Sequence, residues 1–221
     1  MRRAVLFDLF NTLVPGGTDG LRESVLTRMA GILRVDPAAY VKAFADSWPV
    51  RFVGAMGDLD NVVRVLAREV GGAPTGEQVA VAAALRRGMT AGLLAAVPPA
   101  TLSMLDKLRV DGWPLGLVSN TTSETPDRFR RSRLATRFDT TVFSSELGVK
   151  KPDATIFLAA CEQLGVSPQE CVYVGDGADD ELAAASSLGM RAIRTTEHAD
   201  TDPGWSGPVV RTLADLPGLL A

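Results

Sequence analysis

The sequence predicts an α/β protein built on a parallel sheet, with a purely helical segment inserted after the first strand. Two observations support this prediction. Short apolar runs of strand length alternate with helical patterns, as expected for right-handed crossovers between the strands of a parallel sheet. Between the first and second of these runs, however, a long stretch carries no strand pattern. The 221 residues suffice for one large domain or for a core with a smaller insert.

Five apolar segments rich in valine, isoleucine or phenylalanine are the predicted strands. In chain order they are AVLFD at 4–8, PLGLVS at 114–119, TTVFS at 140–144, CVYVGD at 171–176 and MRAIR at 190–194. Helical spacing of apolar residues occurs over 100–110, 153–164 and 180–188. The last two of these helices end near Gly165 and Gly189, and glycine is typical of helix C-termini.

Residues 16–96 are predicted to form the helical insert. Glycine-rich and proline-rich segments bracket it, PGGTDG at 15–20 and VPPA at 97–100. Its four helical patterns lie near 21–34, 37–48, 58–71 and 76–94. We therefore divide the chain into a core of residues 1–15 and 97–221 and an insert of residues 16–96.

Composition and charge exclude several classes of protein. Hydrophobic residues make up 46% of the chain, so a buried core is expected, and the net charge of -3 argues against a nucleic-acid partner. The densest basic run, RFRRSR at 128–133, is more often a solvated helix face than a binding site. His198 is the only histidine, which excludes a serine–histidine triad or a histidine metal site within one chain.

The sequence also predicts a cytoplasmic location without a membrane partner. No stretch approaches the roughly 20 apolar residues that span a bilayer. The apolar N-terminal stretch is interrupted by Asp8 and lacks a small-residue cleavage site, so it is not a signal peptide. The two cysteines, Cys161 and Cys171, have neither a metal-ligand spacing nor a disulfide framework, which suits a reducing compartment.

Polar side chains gather beyond the carboxyl ends of the predicted strands, the edge at which open parallel sheets bind ligands. In chain order they are Asp8, Thr12, Ser119, Asn120, Lys150, Lys151, Asp176, Asp180 and Glu181. Each alone has an ordinary structural explanation, since a strand-terminal aspartate is usually a turn or N-cap residue. Their conjunction at one edge indicates a functional site.

This set of side chains suits phosphoryl transfer. A carboxylate such as Asp8 can act as a nucleophile. A few carboxylates, here Asp8 and Asp176 with a further acid, can hold Mg²⁺ while the ion keeps waters for a phosphate substrate. Ser119 and Lys151 could hold the oxygens of a transferring phosphoryl group, and Thr12 could add a donor.

At these residues the chain resembles the haloacid dehalogenase (HAD) superfamily. Four segments carry the resemblance in the family order: FDLFNTL, LVSN, KKPDATIF and VYVGDGADDELAAASSLGM. The resemblance implies a Rossmann-like core with a helical cap inserted after the first strand. By resemblance, Asp8 is the nucleophile and Thr12 supports the loop of the first motif. Ser119, beside Asn120, is the hydroxyl of the second motif. Lys151, rather than Lys150, is the lysine of the third motif, and Asp176 is a metal ligand.

The second acidic ligand that the resemblance implies stays open between two residues. Spacing back from the segment LGM at 188–190 favours Glu181, whereas Asp180 fits a shorter variant of the motif. Asn11 stands where the family commonly has glycine, and asparagine tolerates unusual backbone angles better than most residues.

Phe10 departs from the pattern of the family's phosphatases. There the second residue after the nucleophile is usually an aspartate, which protonates the leaving group and later activates water. Phenylalanine does neither, although its backbone carbonyl can still coordinate a metal. The family's dehalogenases typically carry an aromatic residue at this position and need no metal. The acidic stretch from Asp176 to Glu181 argues the other way, since like charges in a cleft favour a cation.

The leading hypothesis is a Mg²⁺-dependent phosphatase that acts on a small phosphorylated metabolite through an aspartyl-phosphate on Asp8. Two alternatives stay open because of Phe10. One is a 2-haloacid dehalogenase that displaces halide through an aspartyl ester, and the other is a HAD-like scaffold that binds a ligand without turnover. The chain is expected to be a monomer or a homodimer.

The insert is expected to contribute the contacts that select the substrate. Arg51, in WPVRFVG at 48–54, is the candidate anchor for an anionic substrate, because a guanidinium matches carboxylate and phosphate geometry. A surface arginine at a helix end is an equal alternative. Trp48, Phe52 and Met56 either line the pocket or pack within the insert.

Overall fold

The computed structural model describes residues 4–220, and its centre is a sheet of six parallel strands. The strands are paired in the order β3-β2-β1-β4-β5-β6. They are β1 (Ala4–Phe7), β2 (Leu115–Ser119), β3 (Thr140–Phe143), β4 (Cys171–Gly175), β5 (Arg191–Thr195) and β6 (Val209–Val210). The five predicted strands are confirmed; β6 was not predicted because two residues are too few to carry a pattern.

Helices cover both faces of the sheet, which explains why its strands are continuously apolar. Alternate residues of β1 enter different hydrophobic clusters: Val5 and Phe7 join one, and Ala4 and Leu6 the other. Outside the insert the helices are α6 (Pro99–Val110), α7 (Thr125–Arg130), α8 (Ser144–Leu147), α9 (Ala154–Leu164), α10 (Glu181–Ser187) and α11 (Leu216–Leu220).

Five helices lie between β1 and α6, where the sequence predicts four. They are α1 (Asp19–Leu33), α2 (Pro37–Asp46), α3 (Trp48–Phe52), α4 (Leu59–Glu69) and α5 (Gly76–Ala95). The predicted second helix is divided because α2 ends at Asp46 and Pro49 lies in the first turn of α3. The insert has a hydrophobic cluster of its own, which runs from Val25 to Ala83.

Side-chain caps fix where the long helices of the insert begin. Thr18, Asp36, Asp58 and Thr75 each accept a hydrogen bond from a backbone N–H in the first turn of the helix that follows. Thr75 also forms a reciprocal capping box with Gln78. These contacts satisfy backbone donors that a helix cannot satisfy internally.

The cysteines and the basic run have the structural roles that the sequence predicts. Cys161 and Cys171 are buried free thiols whose Sγ atoms lie 3.6 Å apart. In the basic run, Arg130 donates two hydrogen bonds to the exposed Glu146, so this arginine belongs to a solvated helix end. Among residues 4–220 no single helix is long and apolar enough to cross a bilayer; α5 and α6 meet the length and composition criteria only as a pair bent by 65°.

Candidate active site

A buried group of charged side chains lies at the carboxyl ends of β1 and β4. Asp8, Lys151, Asp176 and Glu181 are all buried. The ammonium of Lys151 donates to Asp8 Oδ1 over 2.5 Å and also to Glu181 Oε2. Ser119 at the end of β2 places its Oγ 3.4 Å from Asp8 Oδ1. Five predicted site residues therefore meet at one edge of the sheet.

Tyr173 belongs to the same network, although the sequence analysis did not single it out. Its hydroxyl donates to Glu181 Oε2 over 2.7 Å and lies 3.1 Å from Lys151 Nζ. Tyr173 is fully buried in β4, between two valines. A tyrosine inside an aliphatic strand was the available signal, because a buried phenol oxygen needs a polar partner.

Three carboxylates lie close enough together to bind one metal ion. Asp8, Asp176 and Glu181 each offer an oxygen atom, and these atoms lie within 4.8 Å of one another. Asp176 Oδ1 accepts the N–H of Ala178 over 3.2 Å, while its buried Oδ2 has no hydrogen-bond partner within residues 4–220. Asp180, the alternative acid, is exposed and lies outside this group because its backbone takes a left-handed conformation (φ 54°) ahead of α10.

The pKa values of the group reflect its excess of negative charge. Burial raises the pKa of Asp8, the charge of Lys151 opposes this shift, and Asp176 adds to it. Burial likewise raises the pKa of Glu181 to about 7, with Lys151 again opposing and the two aspartates adding. Burial opposes the charge of Lys151, but Asp8 and Glu181 outweigh it and raise the pKa of the lysine. One ammonium does not balance three carboxylates, so the group favours a further cation or a proton.

Two backbone features shape the loops that carry these groups. A Cβ at Gly175 would lie 2.0 Å from Glu181 Oε1, so only glycine lets Glu181 approach the strand this closely. Asn11 adopts the positive φ of 63° that its residue type tolerates, and its Oδ1 accepts the N–H of Gly16 over 2.9 Å. Thr12 is buried, and its hydroxyl has no partner in the described part of the chain.

Asn120 holds the backbone of Lys151 in place through two hydrogen bonds. Its Oδ1 accepts the backbone N–H of Lys151 over 2.7 Å, and its Nδ2 donates to the carbonyl of Lys151 over 3.1 Å. The same Nδ2 donates to Asp179 Oδ2 over 2.7 Å. Lys150 points elsewhere, since its Nζ lies 3.3 Å from the carbonyl of Lys151 and it does not line the cavity.

The charged group opens into a cavity of about 230 Å³ between the sheet edge and the insert. The core contributes Asp8, Phe10, Ser119, Asn120, Lys151, Asp176 and Glu181 to its lining. The insert contributes Gly16, Arg22, Trp48, Phe52, Arg86, Met89, Thr90 and Leu93. Trp48 and Phe52 therefore line the cavity, whereas Met56 packs against the insert's own cluster.

Arg51 does not line the cavity, contrary to the prediction. It is buried within the insert, where its Nε donates to Ser47 Oγ over 2.9 Å and its Nη2 to the carbonyl of Phe44 over 2.7 Å. Two other arginines of the insert line the cavity instead: Arg22, which donates to Asp19 and to the carbonyl of Gly16, and the buried Arg86. The signal for Arg86 was its place on the apolar stripe of α5, in helical spacing with the buried Ala82 and Ala83.

Comparisons with known proteins identify the family of this chain. A model of the haloacid dehalogenase-like hydrolases matches residues 2–187. The glyceraldehyde 3-phosphate phosphatase of Methanopyrus kandleri is 29% identical over 218 residues, which cover 92% of this chain and 88% of that protein.

Solved structures show the same fold. The 2-haloacid dehalogenase of Pseudomonas syringae superposes with a TM-score of 0.75 at 24% identity, covering 100% of this chain and 98% of that one. A HAD family enzyme of Bacteroides thetaiotaomicron, in complex with magnesium and inorganic phosphate, superposes with a TM-score of 0.65 at 20% identity, covering 91% of this chain and 98% of that one. Because the family model matches residues 2–187, the chain belongs to the haloacid dehalogenase-like hydrolases.

Proposed function

We propose that this chain is a Mg²⁺-dependent phosphatase that hydrolyses a small phosphorylated molecule through an aspartyl-phosphate on Asp8. The observation that carries the proposal is the buried carboxylate pair that lines the cavity: Asp8 is held by Lys151, and Asp176 Oδ2 lacks a hydrogen-bond partner within residues 4–220. An unsatisfied buried carboxylate oxygen destabilises the fold, and a bound cation removes that penalty. The phosphatase of M. kandleri, which aligns over 92% of this chain, supports the same reaction class.

The donor set fits Mg²⁺, which prefers oxygen ligands and keeps several waters. Asp8 and Asp176 each offer a carboxylate oxygen, and the backbone carbonyl of Phe10 is the further ligand that we propose. Both oxygens of Glu181 already accept hydrogen bonds, so we propose that this acid reaches the ion through water. Bound there, Mg²⁺ would offset the negative charge of the carboxylates and of an incoming phosphate.

The side chains of the site divide the chemical work. Lys151 and Ser119 both contact Oδ1 of Asp8, which leaves Oδ2 as the attacking atom. In the first step Oδ2 bonds to phosphorus, the bond between phosphorus and the ester oxygen breaks, and that oxygen leaves as an alcohol after it takes a proton from water. Water then releases phosphate and restores the carboxylate of Asp8. Ser119 and Lys151 donate to the phosphoryl oxygens, where negative charge gathers.

Phe10 narrows the proposed substrate range. Its ring lines the cavity and has no proton to give to the leaving oxygen. An acyl phosphate or an aryl phosphate needs less protonation than an alkyl ester, because its leaving group is more stable as an anion. We therefore expect such activated phosphates to react fastest.

The helices of the insert serve, in this proposal, as a cap domain over residues 16–96. They have their own hydrophobic cluster, and α3 and α5 supply one wall of the cavity. Enclosure by such a wall excludes water and strengthens the electrostatic contacts inside. The cytoplasmic location and the monomeric or dimeric state stay predictions.

A dehalogenase is the second candidate, and Phe10 is the observation that favours it. An aromatic ring in the cavity suits an apolar haloacid carbon better than a hydrated ion. In that reaction Asp8 displaces halide and forms an ester that water hydrolyses, and no metal takes part. The observation against it is the buried Oδ2 atom of Asp176, which has no hydrogen-bond partner within residues 4–220.

A turnover screen with a matched control tests the two candidates. Wild-type protein, Asp8→Asn and Asp180→Asn are offered phosphate esters and acyl phosphates with and without Mg²⁺, and 2-chloro acids without metal. We expect phosphate release that needs Mg²⁺ and falls by about 10⁴-fold or more in Asp8→Asn. Asp180→Asn should retain activity, because Asp180 is exposed and lies outside the cluster of Asp8, Asp176 and Glu181, which we call the carboxylate group. Halide release without metal, or no Mg²⁺ binding by calorimetry, would overturn the phosphatase proposal.

A further inference from the structure

A second buried charged group adjoins the same cavity; we call it the Arg86 cluster and define it as Arg51, Arg86, Glu124 and the ring of Phe44. Arg86 Nε donates to Glu124 Oε1 over 2.9 Å, with 8% and 1% of the two side chains exposed. The guanidinium carbons of Arg51 and Arg86 lie 4.0 Å and 5.5 Å from the centroid of the Phe44 ring. The pair of Arg86 and Glu124 joins α5 of the insert to the segment before α7.

The Arg86 cluster carries one unbalanced positive charge. Burial would raise the pKa of Glu124, but the charge and hydrogen bond of Arg86 outweigh it and lower the pKa, so Glu124 is ionised. Burial and the charge of Arg86 lower the pKa of Arg51 to about 10, which leaves this side chain protonated at neutral pH. The hydrogen-bond acceptors of Arg51 are a hydroxyl and a carbonyl, both neutral. Two cations therefore share one carboxylate in a desolvated place, and this net charge favours a further anion even though Glu124 Oε2 has no hydrogen-bond partner within residues 4–220.

Arg86 has donors to spare for such an anion. Its Nε–H is used by Glu124, and its Nη1 lies 4.0 Å from the sulfur of Met89, a weak acceptor. Its Nη2 has no acceptor within residues 4–220. Arg86 is only 6% exposed and lines the cavity, so the cavity is where a further acceptor can reach it.

We propose that Arg86 binds a carboxylate of the substrate, at the end remote from the phosphate that Asp8 attacks. A guanidinium matches a carboxylate with two parallel hydrogen bonds, and one carboxylate balances the single excess charge of the Arg86 cluster. A cavity of about 230 Å³ is smaller than the roughly 300 Å³ at which drug-sized sites begin, so the molecule is short. The identity of the attacked phosphate rests on the proposed function; the carboxylate contact does not.

Matched substrates and matched variants test the contact. The substrates are the aryl phosphate of a small phenolic carboxylic acid, which suits a site without a general acid at Phe10, and the same aryl phosphate with a primary amide in place of the carboxylate. We expect wild-type protein to prefer the acid, and Arg86→Gln to reduce the acid-to-amide ratio of kcat/KM by about tenfold to a hundredfold, mainly through KM. Glu124→Gln should keep the preference, because it leaves the guanidinium in place.

A double variant guards against loss of folding. Arg86→Gln alone leaves the Glu124 carboxylate buried without its cation, whereas Arg86→Gln with Glu124→Gln leaves two amides that can bond to each other. The double variant should show the same loss of preference for the acid. An unchanged ratio in the folded double variant would overturn the inference.

Non-hydrolysable phosphonates separate this inference from the proposed phosphatase activity. If wild-type protein hydrolyses no phosphate ester, the proposed function fails, and calorimetry with the phosphonate acid and its amide still tests Arg86. Tighter binding of the acid that disappears in the double variant supports the contact. Equal affinity of wild-type protein for the two phosphonates, or no binding of either, contradicts it.

Discussion

The two charged groups of the cavity are opposite in sign. The group around Lys151 combines three buried carboxylates with one ammonium, whereas the Arg86 cluster combines two guanidiniums with one carboxylate. The first therefore favours a cation, and the second favours an anion. A phosphorylated carboxylic acid that enters with Mg²⁺ would satisfy both groups, which neither group alone suggests.

The two charged groups also differ in which parts of the fold bring their side chains together. Asp8 and Asp176 directly follow the adjacent strands β1 and β4, and Glu181 begins α10 after the loop that leaves β4, so the sheet edge brings the three acids together. The Arg86–Glu124 pair instead spans 38 positions and joins the insert to the core. The carboxylate group is fixed by the sheet, while the Arg86 cluster depends on how the insert packs.

Removing the single ammonium of the carboxylate group should have the largest effect on stability. Lys151→Met leaves the carboxylates of Asp8 and Glu181 buried without a cation, so we expect a loss of about 3–5 kcal/mol in the free energy of unfolding. Urea denaturation in the presence of a chelator measures it. Lys150→Met is the matched control and should cost less than about 1 kcal/mol, because within residues 4–220 the Lys150 side chain makes one long hydrogen bond, to a backbone carbonyl. Equal midpoints for the two variants would contradict this account of the group.

Mg²⁺ should stabilise the protein through the carboxylate group alone. At a concentration one hundred times its Kd, an ion that binds only the folded state adds about 2.7 kcal/mol to the free energy of unfolding. We expect Asp176→Asn to lose most of this gain, because it removes the unpartnered oxygen. Urea denaturation with and without Mg²⁺ measures the gain.

The control for this Mg²⁺ experiment is Asp180→Asn, in which the exposed acid of the same loop is changed. It should keep the full stabilisation, because the carboxylate group does not include Asp180. If Asp180→Asn abolished the gain and Asp176→Asn did not, the ion would bind elsewhere in the loop.

Asp8 and Asp176 were predictable from the sequence because each follows a strand pattern, and such patterns are local. A strand that ends in aspartate places that side chain at the sheet edge whatever the rest of the chain does. The choice between Asp180 and Glu181 was not predictable with the same certainty, since it depends on the left-handed turn at Asp179 and Asp180. The order of residues in the loop does not determine which of two adjacent acidic side chains points into the site after such a turn.

The Arg86 cluster was not predictable, because it depends on packing between distant segments. Arg51 and Arg86 are both arginines on helices of the insert, and only their tertiary surroundings distinguish them. Arg51 turns back onto Phe44 of its own segment, whereas Arg86 meets Glu124 of the core and the cavity. The sequence signal for Arg86, a charge on an apolar stripe, indicates burial but not the partner.

The pH dependence of stability should differ in sign between the two groups. In the folded protein the pKa of Glu124 lies below its usual value of 4.5. The ion pair of Glu124 therefore stabilises the fold fully above pH 4.5, and this stability is lost as the pH falls through the pKa that Glu124 has in the folded protein. The folded pKa of Glu181 is instead raised from 4.5 to about 7, so the folded protein holds more protons than the unfolded chain within this window. Metal-free protein should therefore lose stability from Glu181 as the pH rises from about 4.5 to about 7.

Two variants show which group causes each part of the dependence of stability on pH: the acid limb below about pH 4.5 and the neutral limb from about pH 4.5 to pH 7. Urea denaturation of metal-free protein between about pH 3 and pH 8 gives the profile, and Glu181→Gln should remove the decline towards neutral pH. The Arg86→Gln and Glu124→Gln double variant should flatten the acid limb and leave the neutral limb unchanged, because Glu124 is not part of the carboxylate group. A neutral limb that persists in Glu181→Gln would assign the decline to Asp8, whose pKa is also raised by burial. A profile that rises throughout from pH 4.5 to pH 7 would mean that the carboxylate group is already balanced without a cation, and the argument for Mg²⁺ would lose its electrostatic basis.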